Sequence, residues 1–409
     1  MKITSRFICL ILILCFSQAR SFAFEHDAEI LLNERSVKIF PDGRMVTLIH
    51  KMILLNNNFG VENYNKLVFN VDSTRDSFEV VDMTRSEHFS EGENRPVAFS
   101  PLVSQSVDTE GNRVVITVPM LKPGDMFEYK IRIYSNSPVI TGHFWTMQNM
   151  ADVYPTEKSV FSIEMPENIE LFYQCFAHET EPRISSSGGN INYTWELENL
   201  DPVRSLNNEK SDESMPRVIV SSVNSWDVLA EWLSARYFEK IADNDRTRRL
   251  ALSLTQMTGN EIKEHMAMTL ARFVSLNIVN YDNGVELDTI VPNDAEAVLK
   301  NRRGDCKDKA VLLLSLLYSV GIEAYPALLN NDRDSNIAEM LPVPYYFNHA
   351  IVYVPPQATI EHKLWLDPTD VNLISTRSMN ISHHKRKQAL ILRPNGESRF
   401  EWMEGTSTE

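Results

Sequence analysis

The sequence predicts a two-domain protein in which an antiparallel β-sandwich precedes an α+β domain. Three observations predict this class. The chain has 409 residues and 43% hydrophobic content, which is enough for two domains that each bury a core. Apolar and polar residues alternate with period two from Glu34 to Val220, the pattern of half-buried strands. Beyond Val220 the apolar spacing becomes helical, so we place the boundary at residue 220.

The first residues are typical of a secretory signal peptide. Lys2 and Arg6 supply positive charge, Phe7 to Phe16 is a short apolar run, and Ser21 to Ala23 is a small-x-small cleavage site. We predict cleavage after residue 23 and a periplasmic or secreted mature protein. The alternative is a retained anchor, which is disfavoured because the run is shorter than the ~20 residues that span a bilayer. No later segment of the sequence is long and apolar enough to be an integral membrane span.

The charge balance disfavours anionic partners. The formal net charge is −15, and an acidic surface repels phosphate backbones and anionic headgroups. The charged residues are dispersed along the chain, which is typical of a solvated surface and not of a dedicated cation site. The sequence therefore predicts no nucleic-acid partner and no cofactor, and it leaves the oligomeric state open.

The cysteines do not form a disulfide framework. Cys9 and Cys15 leave with the predicted signal, so the mature chain keeps Cys175 and Cys306. These two lie in different predicted domains, and we expect two free thiols. Cys175 lies in the apolar run Leu171 to Phe176 and is expected to be a small buried strand residue.

The sandwich, residues 24–220, contains clear strand patterns separated by turn residues. Alternation is strongest at Phe127 to Ile133 and at Ile191 to Leu197, and Arg217 to Ser221 is a candidate for one more strand. Turn chemistry separates the runs at four places: Pro41-Asp42-Gly43, Glu110-Gly111-Asn112, Lys122-Pro123-Gly124 and Ser187-Gly188-Gly189.

The second domain, residues 221–394, should begin with three helices and be followed by a tail, residues 395–409. Ser225 is a candidate N-cap for a helix that starts at Trp226. The second helix is predicted from Asn244 to Thr258 and the third from Glu261 to Leu276, where apolar residues lie close to one stripe.

Cys306 is predicted to lie in the first turn of a buried helix. Gly304 permits a close approach of the chain, Asp305 is a natural N-cap, and Asp308 complements the positive end of the helix. Apolar residues cover nearly the whole circumference from Ala310 to Val320, so this helix should be central. The unpaired backbone N–H groups of a helix start favour a thiolate.

The alternative for Cys306 is an inert core residue, as free cysteines often are. Its charged neighbours argue against that alternative, because Asp305, Lys307, Asp308 and Lys309 are hard to bury together. We therefore expect Cys306 to lie where the buried helix meets a polar cleft.

A cysteine nucleophile needs a base, and the base needs an orienting acceptor. His349 begins the apolar run that ends before Pro355, and Asp367 ends the run that begins at Lys363. If these strands are antiparallel neighbours, His349 and Asp367 lie at the same edge of the sheet. The competing use of the same residue types is a metal site.

A metal site could add three further histidines: His362, His383 and His384. The sequence has no His-Glu-x-x-His and no Cys-x-x-Cys pair, and the basic residues after His384 make that loop a poor cation site. We therefore predict no metal.

Three separated motifs resemble the transglutaminase-like superfamily, in order and in context. They are the box Gly304-Asp305-Cys306-Lys307-Asp308, the strand start Asn348-His349-Ala350 and the strand end Trp365-Leu366-Asp367-Pro368-Thr369. The resemblance covers Trp226 to Pro394 and implies a papain-like α+β fold. By its layout, Glu25 to Val220 resembles the β-rich domain of unknown function that precedes this core in secreted bacterial envelope proteins.

The resemblance implies a papain-like thiol enzyme, with Cys306, His349 and Asp367 as its catalytic triad. Thiolate attack on an amide or peptide carbonyl would give a thioester, which is released to an amine (cross-linking) or to water (deamidation or proteolysis). The backbone N–H of Cys306 would be one oxyanion donor, and Tyr281 is our candidate for the other by its position. The implied partner is a protein or peptide substrate in the cell envelope. The runner-up function is a non-catalytic envelope binding or assembly protein that uses the same fold as a scaffold.

Overall fold

The computed structural model describes residues 26–72, 75–88, 94–98, 102–108, 111–203, 215–256, 262–280, 290–331, 336–370 and 387–403. The predicted signal peptide lies outside the described residues, as do Tyr281, His383 and His384. Both the signal peptide and the role of Tyr281 therefore stay predictions.

The first half of the described chain is built from strands, as predicted. They are β1 (Ala28–Ile39), β2 (Met45–Leu55), β3 (Lys66–Asn70), β4 (Asp76–His88), β5 (Asn94–Ala98), β6 (Leu102–Asp108), β7 (Gly111–Thr117), β8 (Met126–Ser135), β9 (Trp145–Asn149), β10 (Thr156–Pro166), β11 (Phe172–Phe176), β12 (Arg183–Ser187), β13 (Asn190–Leu200) and β14 (Arg217–Ser221). One short helix, α1 (Asn58–Tyr64), follows β2. The strong alternations predicted at Phe127 to Ile133 and at Ile191 to Leu197 lie in β8 and β13.

Eight of these strands form one large sheet, in the order β12-β13-β10-β1-β2-β8-β4-β5. One pair departs from the predicted antiparallel pattern, because β1 and β10 are parallel, with Val37 opposite Ile163. A parallel pair needs a long crossover between its strands, and the chain from β2 to β9 provides it. Alternation in the sequence reports which face of a strand is buried, so it could not reveal the direction of the neighbour.

Two three-stranded sheets, β3-β7-β6 and β11-β14-β9, complete the sandwich. Ile53 on β2 packs in a cluster with Ile116 on β7, whereas Met45, also on β2, packs against a cluster that includes Val218 on β14. Residues 45 and 53 share one face of β2 because side chains alternate along a strand. Both small sheets therefore lie on the same face of the large sheet.

Strand β14 joins the two halves of the molecule, and all five of its residues are buried. Val218 and Val220 pack in a core of the first half, whereas Ile219 belongs to the core of the second half. The predicted boundary at residue 220 thus falls inside a strand whose two faces serve two cores. Gln174 on β11 adds polar contacts, because its Oε1 accepts from the Leu341 N–H at 3.1 Å and from the Tyr346 hydroxyl at 3.0 Å.

The second half begins with the three predicted helices and continues as α+β. Its elements are α2 (Trp226–Glu239), α3 (Asp245–Gln256), α4 (Lys263–Asn277), β15 (Val279–Asn280), α5 (Ala295–Asn301), β16 (Arg303–Gly304), α6 (Cys306–Ser319), β17 (Tyr325–Leu329), β18 (His349–Val354), β19 (Leu364–Leu366), β20 (Gln388–Ile391) and β21 (Arg399–Trp402). Ser225 is the N-cap of α2, although its side chain makes no capping hydrogen bond. The five-stranded sheet has the order β19-β18-β17-β20-β21, so it includes residues beyond the predicted end of this domain at Pro394.

Helix α6 is central, as predicted. Every residue from Cys306 to Leu317 is buried, and the helix packs between the helices α3, α4 and α5 and the strands β17 and β18. In the part of the chain that the structure describes, no helix combines the length and the hydropathy that crossing a bilayer requires.

Candidate active site

Cys306 is the first residue of α6, and a capping box fixes the start of this helix. The Asp305 carboxylate accepts hydrogen bonds from the backbone N–H groups of Lys307 at 2.9 Å and of Asp308 at 3.1 Å. The Asp308 carboxylate accepts in return from the Asp305 N–H at 3.3 Å. These bonds satisfy donors that a helix start leaves unpaired. They hold Cys306, which is 9% exposed, at the rim of the core.

Gly304 is required where the chain enters the helix. A Cβ atom at this position would lie 2.7 Å from the Asp308 Cβ and 3.1 Å from the Val298 Cγ1. Contacts this short are not tolerated, so only glycine lets the chain approach the first turn of α6. This confirms the close approach predicted from the sequence.

The charged neighbours of Cys306 are buried, contrary to the prediction that they mark a polar cleft. Lys307, Asp308 and Lys309 are 5%, 1% and 1% exposed. Asp308 is satisfied internally, because its carboxylate accepts from the Asn293 N–H at 2.7 Å and from the Asn293 side-chain amide at 3.1 Å. The prediction failed because it treated each charge separately, whereas Asp308 accepts from Asn293 and Lys307 pairs with Asp305.

The two lysines differ in their partners. The Lys307 ammonium lies 2.5 Å from the Asp305 Oδ2. Although burial lowers the pKa of Lys307, the Asp305 charge and hydrogen bond raise it, and the net shift is upward. Burial lowers the pKa of Lys309, which the charges of Asp367 and Cys306 only partly offset. Lys309 therefore places a buried amine near Cys306 and Asp367, the two residues that contact His349.

His349 and Asp367 meet at one edge of the sheet, as the sequence predicted. Strands β18 and β19 are antiparallel neighbours, with Val352 opposite Leu366. His349 begins β18 and Asp367 follows the last residue of β19. The His349 Nε2 lies 2.8 Å from the Asp367 Oδ2, and the two side chains are 9% and 11% exposed.

The electrostatic environment of His349 favours its charged form. Burial, the largest influence, lowers the pKa of His349. The charge and hydrogen bond of Asp367, together with a side-chain hydrogen bond to Cys306 and its charge, raise the pKa to about 10. Asp367 occupies Nε2, so Nδ1 is the ring nitrogen left for the sulfur. The imidazole is therefore protonated near neutral pH and contacts both residues.

Thr369 orients the carboxylate of Asp367. The Asp367 Oδ1 accepts from the Thr369 N–H at 2.8 Å and from the Thr369 hydroxyl at 2.7 Å. The two oxygens of the carboxylate are thus divided between His349 and Thr369. The sequence reasoning missed this role, although Asp-Pro-Thr carries the signal of an Asx turn, in which an aspartate accepts from the backbone two residues later.

The arrangement supplies the parts that thiol chemistry needs. A sulfur at a helix start, an imidazolium and a buried carboxylate form one chain of contacts. Within the described residues, the backbone N–H of Cys306 has no hydrogen-bond acceptor, so it is available to an oxyanion.

The remaining candidates lie elsewhere. Cys175 is on β11 as predicted but is half-buried, and both Cys175 and Cys306 are free thiols. Of the predicted alternative metal ligands, only His362 is described, and it is exposed. No group of three or more His, Cys, Asp or Glu side chains that could hold a metal ion occurs among the residues whose placement is described.

Comparisons with known protein families account for both halves of the chain. Residues 41–204 match a family described as "Domain of Unknown Function with solved-structure structure (DUF3857)". Residues 248–358, which include Cys306 and His349, match the family described as "Transglutaminase-like superfamily". The chain therefore has an N-terminal β-rich domain that matches DUF3857, followed by an α+β core that matches the transglutaminase-like superfamily. A search of curated proteins finds no match.

One solved structure has a similar fold over most of this chain. A crystal structure described as a "putative protease" from Parabacteroides distasonis has a TM-score of 0.73 and 14% identity, and the match covers 93% of this chain and 72% of that one. An M1 zinc metallopeptidase from Deinococcus radiodurans matches with a TM-score of 0.27 and 9% identity over 48% of this chain and 42% of that one. The first similarity shows that these two chains share a fold.

Proposed function

We propose that this chain is a transglutaminase-like thiol enzyme that acts on an amide or peptide bond through a thioester at Cys306. The observation that carries the proposal is the position of the His349 imidazole, which contacts both the Cys306 sulfur and the Asp367 carboxylate. The transglutaminase-like superfamily match supports a papain-like thiol enzyme at the level of the superfamily.

The first half of the proposed reaction forms the thioester. The Cys306 sulfur attacks the carbonyl carbon of the substrate, and the carbonyl oxygen becomes an oxyanion that the Cys306 N–H stabilises. The His349 imidazolium donates its proton to the departing nitrogen, so the C–N bond breaks and an amine or ammonia leaves. Asp367 orients the imidazole and stabilises its charged form.

In the second half of the proposed reaction, the roles are reversed. An amine or a water molecule attacks the thioester carbonyl, His349 accepts the proton of the attacking group, and the C–S bond breaks. An amine gives a cross-linked product, whereas water gives deamidation or proteolysis. Which acceptor prevails depends on how water is excluded from the thioester. Tyr281 remains our proposal for the second oxyanion donor.

The proposal includes a location and a class of substrate. The sequence at residues 1–23 supports a cleaved signal and a periplasmic or secreted enzyme, whose substrate is then a protein or peptide of the cell envelope. The alternative function is a binding or assembly protein that uses the same fold. That alternative gives no reason for a protonated imidazole held between a thiol and a carboxylate.

The test is mass spectrometry of the purified protein incubated with a glutamine-peptide library, with and without an added primary amine. We expect a covalent adduct on Cys306. We expect release as a peptide one mass unit heavier, as cleaved peptide, or as an amine conjugate. Cys306→Ala is the matched negative control and Cys175→Ala the positive one. No adduct and no altered peptide under any condition would favour the binding alternative.

A further inference from the structure

A cavity of about 570 Å³ lies in the first half of the molecule, apart from the candidate active site. Residues of β1, β2 and β9 form part of its wall. Tyr345, from the turn Pro344–Tyr346 of the second half, closes one side. None of Cys306, His349 and Asp367 lines it, so a ligand of this cavity would not occupy the proposed catalytic residues.

The lining carries one uncompensated positive charge. Its cations are Arg35, Lys51 and Arg75, and its carboxylates are Asp76 and Asp152. The Lys51 ammonium lies 2.6 Å from the Asp152 carboxylate, and the Arg75 Nε lies 3.3 Å from that of Asp76. These pairs leave Arg35 as the excess charge, in a chain whose formal net charge is −15. A positive cavity in an acidic protein attracts anions.

Arg35 is held without a counter-ion. Within the described residues it forms no ion pair, and its one side-chain hydrogen bond, from Nη2 to the Thr146 hydroxyl, is long at 3.3 Å. Its Nε is buried and has no acceptor. Burial lowers the pKa of the guanidinium, although the Tyr345 charge opposes the shift. A desolvated cation without a partner is costly, and an anion in the cavity would remove that cost.

The same cavity has an apolar wall. The partly buried apolar side chains of Val139, Trp145 and Met147 line it together with Arg35. A well-matched ligand therefore combines a negative group with an apolar portion.

We propose that this cavity binds the C-terminal residue of a peptide through its carboxylate. The guanidinium fork of Arg35 matches the two oxygens of a carboxylate. The side chain of that residue contacts the apolar wall near Trp145. Inorganic phosphate could neutralise Arg35, but it has no apolar portion.

Isothermal titration calorimetry on Cys306→Ala protein tests the proposal, because that variant cannot turn the probe over. The probes are acetyl-Gly-Phe with a free C-terminus, the same dipeptide as its C-terminal amide, and inorganic phosphate. We expect the free acid to bind, and both the amide and phosphate to bind at least ~10-fold more weakly, since a charged hydrogen bond is lost or the other contacts are absent.

Two arginine variants on the same Cys306→Ala background complete the test. Arg35→Met removes the charge and keeps an unbranched stem close in length to the aliphatic part of the arginine side chain, and it should weaken binding of the free acid at least ~10-fold. Arg183→Gln is the matched control, because Arg183 is 75% exposed and pairs with Glu196 on a distant strand. It should leave the affinity unchanged.

Several outcomes would overturn the proposal. They are equal affinity for the acid and the amide, tighter binding of phosphate, no binding of any probe, and an unchanged affinity in Arg35→Met. If Arg35→Met fails to fold, the comparison of acid with amide on the Cys306→Ala protein decides the question alone. None of these results depends on whether Cys306 forms a thioester, so the two proposals fail separately.

Discussion

The two cysteines that the structure describes occupy opposite environments. Cys306 is 9% exposed, starts a capped helix and contacts a protonated imidazole. Cys175 lies half-buried on a strand, where its sulfur contacts the Thr180 carbonyl oxygen at 3.5 Å. Burial, the largest influence, raises the pKa of Cys175. The comparison teaches that the two cysteines differ in the charged groups around the sulfur, and not only in exposure.

The sharpest way to break this comparison is to remove each thiol in turn. Cys306→Ala should lower the rate of product formation from a glutamine peptide by roughly 10⁴-fold or more, because no other described thiol can form the thioester. Cys175→Ala should leave the rate within about twofold, since ordinary substitutions away from the site act mainly on stability. Activity measured by mass spectrometry that survives in Cys306→Ala would contradict the assignment.

Alkylation rates sharpen the comparison directly. Near neutral pH, iodoacetamide should modify Cys306 at least ~10-fold faster than Cys175, although Cys175 is more exposed, because the imidazolium favours the thiolate. His349→Ala should remove most of that advantage. Peptide mapping of the labelled sites measures both rates in one sample. If Cys175 reacted first in the folded wild type, access and not electrostatics would decide reactivity.

The pH dependence of stability tests the ion pair of His349 with Asp367, which lies beside Cys306. The folded pKa of His349 is about 10, above the ~6.5 of an unfolded chain. The stability from this pair is therefore complete below pH ~6.5 and is lost as the pH rises towards ~10. Between pH 6.5 and 10 the wild-type Tm should fall by roughly 3–6 °C more than that of Asp367→Asn. Parallel melting profiles for the two proteins would show that the pair contributes nothing.

The smallest effect on the reaction rate is expected from a substitution of Thr369. Thr369→Val keeps the shape of the side chain and the backbone N–H but removes the hydroxyl donor to Asp367. The loss of one hydrogen bond to a charged group should reduce the rate about 5- to 20-fold. Thr269→Val is a matched control, because the Thr269 hydroxyl donates to the His265 carbonyl on a different helix. Equal rates for both variants would show that the Thr369 hydroxyl does not contribute to the reaction.

Local patterns were enough to predict the elements that carry the site. The helix that begins at Cys306 and the strand that begins at His349 were predicted from caps, apolar runs and prolines. The next strand was predicted to end at Asp367, and it ends one residue earlier, at Leu366. Their meeting point follows from one assumption, that β18 and β19 are antiparallel neighbours, and this pairing is confirmed.

What the sequence could not predict depends on long-range partners. The charge of Asp367, which lies far along the chain, partly offsets the cost of burying Lys309. The parallel pairing of β1 and β10 depends on the route of the intervening strands. Arg35 has the alternating context of an ordinary strand residue, and only the packed structure encloses its Nε without an acceptor. Each of these features arises from tertiary contacts that a local pattern does not encode.

Strand β14 has a consequence for how the molecule is made. Its residues are the last of the first half to leave the ribosome, and β9 and β11 both need it as their neighbour. One of its faces stays uncovered until Ile219 can pack in the core of the second half. The amino-terminal half therefore cannot finish folding during its own synthesis, and the two halves should unfold together in a single calorimetric transition. Two well-separated transitions would show that each half is complete without the other.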